Sequence, residues 1–228
     1  MKKTFFLAII LLSVITSLHA QTIFSSYSFN VEPKDEPTVL QLYKDYFSNK
    51  ANAINGVSVV LYQNHFAEKG IATHQVVFAG TPEAMGAAYD SKSTDAWKLF
   101  QSDLSKITKG VSAAEGERML GFGDTSNVVY PIQDVYYIIV KDENLFMSKF
   151  EAFWSKNTPK NVRASFGSIN TKGANGVTHY VVRSYKNFTD KFKDNYLSSI
   201  KGYAEYINSM KDIRTIHTSS TRILLGKW

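Results

Sequence analysis

Apolar and polar residues alternate where the body of the chain begins. Tyr27, Phe29 and Val31 fall on one side and Ser28 and Asn30 on the other, a spacing that predicts a strand. Asp35, with Glu36 and Pro37 behind it, is an expected helix N-cap, and Leu40, Tyr43, Phe47 and Ile54 recur near helical spacing until Asn55-Gly56. Val57 to Phe66 and Thr73 to Ala79 are rich in β-formers around the turn signal Glu68-Lys69-Gly70. Thr81-Pro82-Glu83 offers a capping hydroxyl, a proline at the first helical position and an acid at the positive end of the dipole. Trp97, Phe100, Leu104 and Ile107 continue at helical spacing, and residues 115–122 supply a last strand.

The same order then recurs. Val135 to Val140 reads as a strand, Glu143 to Lys156 as a helix, and Val162 to Ile169 with Thr178 to Tyr185 as a strand pair around Gly173 and Gly176. Phe188, Phe192, Tyr196, Ile200, Tyr203, Ile207 and Met210 trace one face of a single long helix, and residues 215–225 close with a strand. Local matches support a duplication. Thr73-His74-Gln75-Val76-Val77 reappears as Thr178-His179-Tyr180-Val181-Val182, 105 positions later. Arg118-Met119-Leu120 matches Arg222-Ile223-Leu224, and Tyr43, Phe47 and Ser48 match Phe150, Trp154 and Ser155.

Each copy is therefore a β-α-β-β-α-β unit, the ferredoxin-like split motif, in an α+β chain. The expected organisation is a signal peptide over 1–20, repeat 1 over 21–123, a linker over 124–133 and repeat 2 over 134–228. In the strand 135–140 both faces are apolar: Val135, Tyr137 and Ile139 on one, Tyr136, Ile138 and Val140 on the other. Two helices cover only one face of such a sheet, so the second face calls for another cover, and the sister sheet is the simplest. In the first copy Ser26, Ser28 and Asn30 make that face polar, as an exposed edge or a pocket lining.

A tandem pair of this kind resembles the dimeric α/β-barrel superfamily, which includes antibiotic-biosynthesis monooxygenases and stress-responsive barrel proteins. The resemblance rests on element order and duplication. It implies two units packed sheet to sheet, an intrachain pseudo-dimeric α/β barrel, with room for a ligand between the sheets. Fold alone does not assign an activity.

The chain opens Met1-Lys2-Lys3, runs apolar from Phe5 to Ile15 and reaches Ala20 through Thr16-Ser17-Leu18-His19. Basic, apolar and small-residue regions in that order predict a cleavable export signal, too short in its apolar part to span a bilayer. Cleavage removes Lys2 and Lys3 and lowers the formal charge from +6 to +4. The remaining lysines are scattered, so no stripe for nucleic acid is visible. With no cysteine, disulfides, thiol nucleophiles and cysteine-ligated metals are excluded. The expected protein is exported, periplasmic or extracellular, with no membrane anchor after cleavage.

His74 and His179 hold equivalent positions and are the candidates for catalytic and ligand-binding residues. In a pseudo-twofold barrel they would approach each other across the cavity. Arg183 follows His179 on the same strand face and suits an anionic ligand, and Asn30, on the polar face of the first strand, is a further ligand-binding candidate. The alternative is that Thr-His is a packing feature kept in both copies. His65 and His217 have no carboxylate at ligand spacing, so neither a metal nor a cofactor is expected. The haem-degrading branch of the resembling superfamily implies a first-strand asparagine, a tryptophan on the second helix and a histidine further along it. Asn30 and Trp97 are in place, but the helix reads Ser105-Lys106-Ile107-Thr108 where the histidine belongs, and Trp97 fits a core stripe. Gly121-Phe122-Gly123 reads as a turn, and Asn187 as a helix cap rather than a glycosylation site.

Three functions remain: binding of a small molecule between the sheets, a cofactor-independent monooxygenase-like enzyme with His74 or His179 as base, or a structural or interaction protein with a filled barrel.

Overall fold

The computed structural model describes residues 21–91, 94–124, 129–171, 176–193, 198 and 200–228. The expected signal peptide, part of the linker, Gly173 and Tyr196 lie outside the described residues. The elements run β1 (Thr22–Val31), α1 (Glu36–Phe47), β2 (Val57–Ala67), β3 (His74–Gly80), α2 (Pro82–Asp90), α3 (Asp95–Ile107) and β4 (Thr108–Phe122). The order repeats as β5 (Ile132–Val140), α4 (Glu143–Asn157), β6 (Val162–Ile169), β7 (His179–Tyr185), α5 (Phe188–Phe192), α6 (Tyr203–Met210) and β8 (Arg214–Lys227).

All neighbouring strands pair antiparallel, and the sheet closes on itself in the order β1-β3-β2-β8-β5-β7-β6-β4. Read by halves, the order is β4-β1-β3-β2 and β8-β5-β7-β6, one arrangement used twice. The halves meet edge to edge at β2–β8 and β4–β6. Closure pairs every edge strand, and register shifts at Leu61/Tyr62, Asn64/Phe66 and Arg118/Leu120 put bulges at both seams, where the wall must bend.

Strand alternation divides the side chains between helix layer and barrel interior. Outside the first half, Phe29, Val31, Val59, Leu61 and Val76 pack under Val39, Tyr43 and Phe47 of α1 and Phe100 of α3. Outside the second, Ile138, Ala164, Phe166 and Val181 pack under Phe146, Phe150, Phe153 and Trp154 of α4 and Met210 of α6. The inner faces carry Ser26, Ser28, Gln75, Tyr62, Gln133, Tyr137 and Arg222. Gln75 Nε2 donates to the Tyr137 hydroxyl across the barrel at 3.3 Å. Arg222 donates to Gln133 at 2.9 Å and to Gln75, and its guanidinium lies 3.9 Å over the Tyr62 ring. Strand β5 is thus buried on both faces, as its apolar sides require, and the polar side of β1 turns inward.

Several local expectations change. The long helix over 188–210 is two helices, α5 and α6, with Gly202 at φ 86° immediately before α6. The first half divides its second helix in the same way, because Thr94 caps α3 through the Trp97 amide after α2 has ended. Strand β4 begins at Thr108 rather than 115, since its exposed first half pairs with β1 from Val31 to Ser26. Asp35 precedes α1 without capping it, having entered a short 3-10 turn whose Asp35 amide bonds to the Glu32 carbonyl. The match of Arg118 to Arg222 is not a structural equivalence. Gly167 and Tyr62, counterparts on β6 and β2, pair with Arg118 and Leu224, so the true counterpart lies two residues on.

Candidate functional site

The paired histidines stand on the outer faces. His74 shares its side of β3 with Val76, under α1, and His179 shares its side of β7 with Val181, under α4. They do not meet in the barrel, because the inward positions beside them belong to Gln75 and Tyr180. Each Thr-His pair forms the same clamp. Thr73 Oγ1 accepts from the Val31 amide, and Thr178 Oγ1 from the Val140 amide, both at 2.9 Å. The threonine hydroxyl also lies 3.0 Å from His74 Nδ1 and 2.8 Å from His179 Nδ1.

The rings then stack on Phe29 and Phe166, with centroids 5.8 and 5.0 Å apart. His179 Nε2 lies 2.9 Å from Glu143 Oε2 at the start of α4. The corresponding acid in the first half, Glu36, accepts instead from Gln63 at 2.9 Å, leaving His74 Nε2 buried with no hydrogen-bond partner among the described residues. Burial lowers the His74 pKa, opposed in part by Glu36.

The other candidates separate from one another. Asn30 Oδ1 accepts from the Thr73 amide at 3.1 Å and helps fasten β1 to β3. Arg183, on the outer face of β7, donates to the Tyr136 hydroxyl and lies 3.6 Å from Asp134. Asp134 is buried, and also receives Lys191 at 3.1 Å, the Tyr185 hydroxyl at 3.3 Å and the Thr221 hydroxyl at 2.7 Å. His65 packs on Phe66 and Phe188. Trp97 packs on Tyr46, Phe47 and Phe100, and α3 carries no histidine, so these residues do not fit a haem. Among the described residues, no group of three His, Asp or Glu side chains is placed to hold a metal ion.

A concavity lies elsewhere, on the outer face of the first half between α2 and strands β1 and β4. Its volume is about 430 Å³, within the range of small-molecule sites. Met85 forms an apolar wall, while Ser25, Tyr27, Tyr89, Glu115 and Thr171 supply polar groups. The Tyr27 and Tyr89 hydroxyls are 2.7 Å apart, and Tyr89 donates to Ser25 Oγ at 2.6 Å. Burial, reinforced by the bond to Tyr89, pushes the Tyr27 phenol up to about 12. At neutral pH Tyr27 is therefore a protonated donor.

Among the described residues, the second half differs at the corresponding place. Phe29 pairs with His74 and Ile138 with His179, so Tyr27 corresponds to Tyr136 and Ser25 to Asp134. Thr81 caps α2 through the Ala84 amide and Asn187 caps α5 through the Asp190 amide, so Pro82 and Met85 correspond to Phe188 and Lys191. Phe188 packs on the cluster of Ile132, Val162 and Tyr185, and Lys191 reaches Asp134. The chain's own side chains take up the corresponding space.

Comparison with solved structures decides the architecture. A Fusobacterium nucleatum protein provisionally named a monooxygenase aligns with a TM-score of 0.66 at 18% identity, over 92% of this chain and 95% of its own. The fold is that of the dimeric α/β barrels. A Lactobacillus acidophilus protein, also provisionally named a monooxygenase, aligns at 0.59 with 13% identity over 91% and 95% of the two chains. An anthrone oxidase-like protein aligns at 0.59 with 9% identity over 94% and 95%. No protein-family model and no curated protein sequence matches the chain.

In this dimeric α/β barrel the cleft opens outward, against a helix, rather than between the sheets. Alternation puts Tyr27 on the apolar side of β1 and Thr81-Pro82-Glu83 marks the start of α2, but no local pattern singles out Tyr89, Met85, Gly86 or Glu115. The available signal was the small residues Gly86, Ala113 and Ala114 beside two tyrosines, which become neighbours only through strand register.

Proposed function

We propose that the exported chain, residues 21–228, binds a small and mainly apolar molecule in the cleft between α2 and the β1–β4 wall. The observation that carries this reading is the cleft itself: a concavity of about 430 Å³ with a Tyr27–Tyr89–Ser25 hydroxyl chain, at a place the second half fills with Phe188 and Lys191. The monooxygenase and oxidase names of the structural neighbours are in keeping with a small-molecule site on this fold. The order of basic, apolar and small residues over 1–20 supports export. Binding is favoured over base catalysis because both buried histidines lie under α1 and α4, away from the cleft, and Tyr27 holds its proton.

Gly86 lines the cleft, and a Cβ added there meets no atom within 4 Å. Gly86→Leu fills the opening, whereas Gly86→Ala improves the helix and leaves it open. Native mass spectrometry of protein purified from its own source is the test. A small molecule retained by the natural chain and by Gly86→Ala but lost from Gly86→Leu is expected. Equal retention by all three would place the ligand elsewhere and overturn the assignment. The same spectrum reads the chain mass, which export predicts to begin near Gln21.

A further inference from the structure

Resting on that binding reading, we infer that the cleft is built for an organic cation: an amine carried on an apolar or aromatic body, with Glu115 as its counter-charge. Glu115 is the charged residue among the described groups lining the cleft. It pairs directly with Ser25 across the β1–β4 ladder, so its side chain rises on the same face, beside the end of the Tyr27–Tyr89–Ser25 chain. Glu115 is exposed at the rim of a cleft that Tyr27, Tyr89 and Met85 also line, and a carboxylate there attracts an ammonium group and repels an acid. The chain as a whole is basic, but among the described residues that line the cleft the charge is the acid Glu115.

The second half supplies an independent observation. At the position corresponding to Met85, it carries Lys191, whose side chain is mostly buried with Nζ 3.1 Å from Asp134 and 5.8 Å over the Phe192 ring. An alkylammonium held by an acid beside an aromatic ring thus occupies, from within the chain, the place that the first half leaves open. In the first half Met85 brings no charge and the acid is moved one strand over, from the position of Asp134 on β5 to that of Glu115 on β4. The cation has to come from outside. Its recognition would combine charge pairing with the quadrupoles of Tyr27 and Tyr89.

Three probes built on one 4-alkylphenol frame separate the possibilities: tyramine, 4-ethylphenol and 3-(4-hydroxyphenyl)propanoate, titrated by calorimetry at low salt. Tyramine is expected to bind about fivefold or more tightly than the neutral phenol, with the carboxylate weakest, and the spread should shrink as salt is raised. Glu115→Gln should bring the three affinities together while retaining binding, and Gly86→Leu should abolish all three. If the probes bind in a Gly86-dependent way but the carboxylate equals or exceeds the amine, or Glu115→Gln leaves the order unchanged, the charge assignment falls and the cleft stands. If none binds, the cleft reading itself fails and the charge assignment with it.

Discussion

His179 Nε2 lies 2.9 Å from Glu143 Oε2, joining the first residue of β7 to the first residue of α4. The histidine is buried and Glu143 is about half exposed, so this is a clasp between helix and wall with one side in water. Glu143→Ala is expected to lower stability by about 1 kcal/mol, less than a fully buried hydrogen bond to a charged group because Glu143 is half in water. Urea unfolding measures it, and binding in the cleft should be unaffected.

Among the described residues His74 Nε2 has no such partner, and its pKa is lowered by burial. The unfolded chain takes up a proton near the ordinary value of 6.5 while the folded chain resists it, so stability falls as pH drops below 6.5 toward the lowered folded value. Replacing His74 with Gln should remove this component. Urea midpoints between pH 7.5 and 5 for the two proteins would show a smaller acid loss in the variant, and parallel losses would contradict the assignment.

The threonines before the histidines do equal work in both halves. Thr73→Val frees the Val31 amide and Thr178→Val the Val140 amide. Each bond is partly buried, so each substitution should cost about 1 kcal/mol, the low end of the range for leaving a donor unpaired. Amide hydrogen exchange at Val31 and Val140 should quicken in the matching variant.

Much of this was legible in the chain. Repetition of Thr-His, the two apolar faces of β5 and the caps at Thr81 and Asn187 led to the elements, their duplication and the barrel. The direction of His74 and His179 was not legible, for a physical reason. In a closed barrel under helices both faces of a strand are buried, so alternation groups His74 with Val76 and Phe78 without saying which face is inside. The division of 188–210 into two helices was hidden because Phe188, Tyr203 and Met210 keep a common spacing across Gly202. The cleft was hidden because Glu115 and Tyr27 are far apart in sequence and become neighbours only through the β1–β4 register.

The most direct test is a crystal structure of the protein purified from its own source with its ligand retained. The account predicts density beside the Tyr27 and Tyr89 hydroxyls, against Met85, with Gln75 still bonded to Tyr137 across the barrel. A ligand lying between the two sheets, with the Gln75–Tyr137 bond broken to admit it, would contradict it.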